Sequence, residues 1–139
     1  MDLATLMYVS YRAMDERVLT AMRAAGYDIT AAQSRIAQRI DDEGSRLTDL
    51  AERAQVTKQT ASQLVVALER QGLVERVPDP ADGRARLIRF TERGRAAAQE
   101  AMQVVIGVEQ EWAEHLGPRM TAQLRAALAR LREVTDPYA

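Results

Sequence analysis

A mostly α-helical fold carrying one small β-hairpin (α+β) is predicted by three observations on this 139-residue sequence. Long apolar stripes at helical spacing occupy both ends of the chain. A capped amphipathic helix sits near its middle. Two β-prone runs, separated by a turn-rich stretch, follow that helix directly.

Leu3, Met7, Tyr11, Met14, Val18, Met22 and Ala25 recur with helical period, predicting a first helix over 2–25 that Gly26 ends. Thr30-Ala31-Ala32-Gln33 is a capping-box pattern opening a second helix to about Asp42, with a thin stripe of Ile36, Ala37 and Ile40. Gly44-Ser45 is a turn and Arg46-Leu47 a short extended bridge. Thr48 is expected to cap a compact helix over 49–54, with Leu50, Ala51 and Ala54 inward. Gln55-Val56-Thr57 then turns into the central helix, whose N-cap is Thr57 and whose C′ residue is Gly72. Ala61, Leu64, Val65 and Leu68 share its inner face; Gln59, Ser62, Gln63, Val66 and Arg70 share the other. Two helices joined by so short a turn make a helix-turn-helix. Leu73–Val77 and Arg86–Phe90 are the β-prone runs, with 78–85 as the loop between them, so the unit is a winged helix-turn-helix. Thr91 caps a long helix to about Leu116 with the stripe Ala98, Ala101, Val105, Val108 and Trp112. Gly117-Pro118 restarts the chain into a last helix lined by Leu124, Leu128, Leu131 and Val134. The terminal helices carry more apolar surface than a domain of 30–91 can cover. Residues 1–29 and 92–139 are therefore expected to form a helical dimerisation region around a second copy of the chain.

Whole-chain charge is near balance at −1, but its distribution is not even. Residues 45–95 are net +3 and each flank is net −2, and five arginines (84, 86, 89, 93 and 95) stand against Glu92 in twelve residues. Such a local basic patch is a directed electrostatic footprint. The absence of cysteine excludes disulfides and thiolate metal sites and suits a cytoplasmic protein. No apolar run approaches the ~18–20 residues of a membrane span, so no membrane partner is expected. One histidine, His115, and no glycine-rich phosphate loop or nucleophile motif argue against an enzyme, and no cofactor or metal is expected.

The outer face of the central helix is not the usual Glu/Lys/Arg surface. It opens with short polar donors and acceptors. Gln59 and Gln63 can each pair bidentately with a base, best with adenine; Thr60 and Ser62 can reach bases or phosphates; Val66 can touch a thymine methyl. Thr57, Lys58 and Arg70 are placed for backbone phosphates. Lys58 lies where the helix dipole disfavours a cation by roughly 0.3–1 kcal/mol, a sign that an arriving phosphate reverses. Arg84 on the hairpin suits a narrow minor groove, with Asp82 and Arg86 beside it. The partner expected on these grounds is double-stranded DNA. The competing reading is a winged helix used only for protein–protein contact. That reading predicts an apolar or acidic recognition face and a wing without arginine.

Ile29-Thr30-Ala31-Ala32-Gln33, Leu50-Ala51-Glu52, Leu68-Glu69-Arg70-Gln71-Gly72-Leu73-Val74-Glu75-Arg76, Asp79-Pro80-Ala81-Asp82-Gly83-Arg84 and Thr91-Glu92-Arg93-Gly94 together resemble the MarR family of bacterial winged-helix transcription regulators. The resemblance spans nearly the whole chain. It implies a homodimeric regulator, a repressor in this reading, on a pseudo-palindromic operator. It also implies a wing in which Arg84 enters the minor groove and Asp82 steadies it. Gly83 stands where a basic residue is common, and Ser34 where a large apolar or aromatic one is. Similar proteins bind small aromatic or phenolic effectors between the dimer helices and the winged helix. Tyr8, Tyr11, Arg12, Met14 and Trp112 are the residues expected to line such a crevice here.

Overall fold

The computed structural model describes residues 1–138. The chain runs α1 (Leu3–Ala24), α2 (Ala31–Ala37), α3 (Leu47–Arg53), α4 (Lys58–Arg70), β1 (Val74–Asp79), β2 (Asp82–Phe90), α5 (Glu92–Leu116) and α6 (Pro118–Thr135). This is the predicted mostly helical fold with one antiparallel hairpin.

Most helix ends lie where the capping residues put them. Thr30, Thr57 and Thr91 each accept from the backbone N–H three residues on, and Gln33 completes the box at Thr30. At the end of α4, Gly72 takes the left-handed conformation (φ 71°). Its N–H reaches the Glu69 carbonyl and that of Leu73 reaches Leu68, the paired bonds of a Schellman motif. The same pair of bonds closes α3, but there the left-handed residue is Gln55 (φ 56°). Its side-chain amide donates to the Glu52 carbonyl at 2.7 Å, which helps hold a conformation that a residue with a Cβ seldom adopts.

Three boundaries differ from the sequence expectation. α2 stops at Ala37 rather than near Asp42, because Arg39 and Ile40 tighten into i→i−3 bonds that drop Ile40 into the core. α3 begins at Leu47, and Thr48 lies inside it rather than capping it. Ser45 is held to Ile88 by two backbone bonds (2.9 and 2.8 Å), so the chain turns at Arg46, whose carbonyl opens the helix. The extended bridge is thus at Ser45. The hairpin is also longer than expected, leaving Pro80-Ala81 as its turn. Pro78 lies opposite Arg86, and a register irregularity follows between Pro78 and Asp79.

One core holds the winged helix together and reaches α1 and α5. Ile36, Leu50, Val65, Leu68 and Ile88 are almost wholly buried, joined by Val18 and Met22 of α1 and Ala97 of α5. On α5 the buried stripe is Gly94, Ala97 and Val108, whereas Ala98 is exposed. Close contact with Leu73 fixes that rotation of the helix. No residue of α6 is buried.

A clamp ties α6 back to the winged helix. Arg39, just past α2, donates to both carboxylate oxygens of Asp136 at 3.2 and 3.3 Å, and Arg132 and the Tyr138 N–H complete its shell. The Arg39 hydrogen bonds, then that of Tyr138, pull the Asp136 carboxyl down to about 2 from 3.8. A depressed carboxylate stabilises the folded state above its ordinary range, and that contribution is lost as pH falls through the folded value. Asp136→Asn should therefore lower stability at neutral pH and flatten the acid unfolding curve between about pH 4 and pH 2, as circular dichroism can measure. An unchanged acid limb would remove the clamp from the account.

Candidate nucleic-acid interface

The interface is built from the N-terminal half of α4 and from the hairpin. Thr57, Lys58, Gln59, Thr60, Gln63 and Arg70 are exposed, while Ser62 and Val66 are half-buried. Thr57 Oγ1 accepts from the Thr60 N–H at 3.0 Å, and its hydroxyl donates to Thr60 Oγ1 at 3.0 Å. Thr57 is thus committed to the helix end, and the free hydroxyl proton belongs to Thr60. The first turn carries no acidic residue. Its unsatisfied N–H groups and Lys58 present a positive, donor-rich end.

Basic residues between 45 and 95 divide sharply by their partners. Arg46 grips Asp79, Arg53 grips Asp41, Arg76 grips Glu69 and Arg89 grips Glu75, all between 2.8 and 2.9 Å. Arg93 lies over the Tyr27 ring and donates to the Gln71 carbonyl; Arg95 donates to the Phe90 carbonyl. These six hold the fold together. Lys58, Arg70, Arg84 and Arg86 have no ion-pair or side-chain hydrogen-bond partner among the described residues, and all four are exposed. All five arginines of 84–95 are exposed, but only Arg84 and Arg86 lack a side-chain partner among the described residues. Unpaired cations keep their full field for an incoming anion.

The hairpin tip is shaped by two aspartates. Asp79 accepts from the Ala81 N–H at 2.9 Å and from Arg46, and these bonds hold its carboxyl below the usual range. Asp82 accepts from the Arg84 backbone N–H at 3.0 Å, not from its guanidinium. The alternative of Arg84 as a loop arginine paired with Asp79 or Asp82 is therefore not the arrangement found. Asp82 orders the backbone and leaves the arginine side chain free. A Cβ on Gly83 would meet nothing within 4 Å, so the glycine is not required by packing.

A profile of the MarR family matches residues 27–85, which is the winged helix just described. Over those residues this chain is similar to the MarR family. Its proteins are transcriptional regulators, not enzymes. The transcriptional regulator Tm0710 from Thermotoga maritima is 26% identical, over 94% of this chain and 92% of that one, with a TM-score of 0.66. MarR from E. coli, in its apo form, is 25% identical over 94% and 97% of the two chains, with a TM-score of 0.74. The transcriptional repressor CouR, solved bound to a 23-mer DNA duplex, is 24% identical over 94% and 92%, also at 0.74. No curated protein sequence matches this chain.

Space is left between the winged helix and the long helices. A cavity of about 690 Å³ lies between α1, α2 and α5. Tyr11 and Met14 line it as expected, together with Ser34, but Tyr8, Arg12 and Trp112 do not. Tyr8 and Arg12 are exposed on α1 and lie off the lining. Trp112 lies seven residues beyond Val105, the last lining residue of α5, or about 10 Å along the helix. Sequence spacing missed Asp15, Gln38 and Asp42, which also line the cavity. Only the packing of α2 against α1 and α5 brings them there.

Proposed function

We propose that this chain is a sequence-specific DNA-binding regulator, a repressor that acts as a homodimer on a pseudo-palindromic operator. The observation that carries this reading is the sorting of cations. Between residues 45 and 95 the unpaired ones are Lys58 in the first turn of α4, Arg70 at its other end, and Arg84 and Arg86 on the hairpin, and Gln59, Thr60 and Gln63 are exposed on the same helix. A protein-docking winged helix needs no such arrangement. Residues 30–91 form the DNA-binding domain in this reading, and 1–29 with 92–139 the dimerisation region. A small aromatic molecule in the cavity would release the operator.

Gln63→Ala should relax base preference at one position in each half-site, at roughly 1–3 kcal/mol per lost bidentate pair. Lys58→Ala should weaken all sequences alike and make the salt dependence shallower. Fluorescence anisotropy on operator and scrambled duplexes separates the two. Equal losses on both duplexes for Gln63→Ala would remove it as a base reader.

Support for the dimer comes from the surface of α6. Met120, Leu124, Leu128 and Leu131 form an exposed stripe, and Leu3, Leu6 and Met7 at the start of α1 are exposed as well. Sedimentation at micromolar concentration should give a dimer, and Leu124→Asp with Leu128→Asp should give a monomer with little operator affinity. A stable wild-type monomer would refute this assembly. Two-fold symmetry then sets half-site centres one helical turn apart, ~34–36 Å.

A further inference from the structure

The chemistry of the cavity specifies the class of effector, an inference that rests on reading the cavity as the effector site. Its walls are mainly apolar, with Val18 and Met22 from α1, Leu68 from α4 and Phe90 from β2 among them. Gly94 and Ala97 open the space by their small size. The only charged side chains on the lining are two carboxylates, Asp15 of α1 and Asp42 of the turn after α2. Neither has an ion-pair partner among the described residues. Of the arginines on neighbouring segments, Arg17 is engaged with Glu111, Arg39 with Asp136 and Arg53 with Asp41, while Arg12 and Arg35 are exposed and lie off the lining. Tyr11 lies one helical turn before Asp15, so its ring and that carboxylate share a face of α1. Gln38 spends an amide proton on Ser34 Oγ at 3.2 Å, leaving its carbonyl as an acceptor on the same wall.

We propose that the cavity takes a lipophilic cation, an aromatic or aliphatic body bearing a protonated amine or a quaternary ammonium. An anion there would be desolvated against apolar walls and would face two carboxylates with no cation to compensate. A cation instead gains a charge-assisted contact at Asp15 and the face of the Tyr11 ring. A neutral phenol fits the walls and can donate its O–H to Asp15 but brings no charge to pair with it; an aryl carboxylate is disfavoured.

Three naphthalene probes of nearly one shape test this: 1-naphthylmethylammonium, 1-naphthalenemethanol and 1-naphthoate, titrated into the full-length protein by fluorescence. The ammonium should bind about tenfold more tightly than the alcohol, the worth of one charge-assisted contact, and the carboxylate most weakly. Asp15→Asn should erase the ammonium's advantage while changing the alcohol's affinity much less, and its thermal midpoint reports that the fold is intact. Asp42→Asn, altering the more exposed carboxylate, should reduce the advantage by less. Equal binding of the three probes, preference for naphthoate, or an ammonium preference that survives both substitutions would overturn the proposal. The effector reading would still stand if whichever probe binds lowers operator affinity. Failure of all three probes to bind would overturn both, while operator binding by the same preparation would leave the DNA-binding reading standing.

Discussion

Replacing Gly94 with alanine is expected to cost about 3 kcal/mol or more, a large share of the ~5–15 kcal/mol that holds a domain folded. The added Cβ would lie 1.8 Å from the Leu73 carbonyl oxygen, 2.9 Å from its carbon and 3.0 Å from Phe90 Cδ1. Backbone cannot swing aside as the end of a long side chain can. The same carbonyl accepts from the Thr91 N–H at 3.1 Å, and the Thr91 hydroxyl donates to the Gly72 carbonyl while accepting from the Gly94 N–H. The first turn of α5 is therefore seated directly on the exit of α4. Alanine would have to part the two, loosening both the core and the angle at which α4 is presented. A thermal melt should show the midpoint lowered by roughly 10 °C. Gly83→Ala, at a position with no atom within 4 Å, is the matched control and should melt close to wild type. A near-wild-type melt for Gly94→Ala would mean that α5 does not need this approach.

Arg84→Ala should reduce operator affinity by roughly a hundredfold or more while leaving fold and dimer intact. Groove contacts are worth about 1–3 kcal/mol each, and a symmetric dimer loses two. The side chain is exposed and unpaired in the free protein, so no intramolecular bond need break before it enters a groove. Arg84→Lys should recover only part of the loss, since a point charge replaces a planar fork in a narrow groove. Asp82→Ala should do less harm, because its carboxylate orders one backbone N–H and does not hold the guanidinium. Titrating the three variants against one operator duplex at fixed salt tests the ranking. Near-wild-type binding by Arg84→Ala would end the minor-groove assignment.

The sequence by itself determined what depends on neighbours along the chain. Thr30 with Gln33, Thr57 and Thr91 mark helix starts because their side chains bond backbone groups only three residues away. Gly72 marks a stop because the left-handed turn is cheap without a Cβ. Apolar periodicity then places α4 with its polar face outward, which is why the fold and a candidate DNA-facing surface were legible. Tertiary structure decided whatever depends on a partner far along the chain. Thr48 is a sound N-cap by type, yet the bond between Ser45 and Ile88 moves the helix start to Leu47. Five arginines within twelve residues look equivalent in sequence, yet Glu75, Gln71, Tyr27 and Phe90 claim three of them and leave Arg84 and Arg86 without a side-chain partner among the described residues. Tyr8, Arg12 and Trp112 share helical spacing with real cavity residues, while Asp15 and Asp42 reach the cavity from segments that meet only in the fold. Backbone conformation is set over a few residues; the partner of a charge, and hence its freedom to bind, is set by which surfaces pack together.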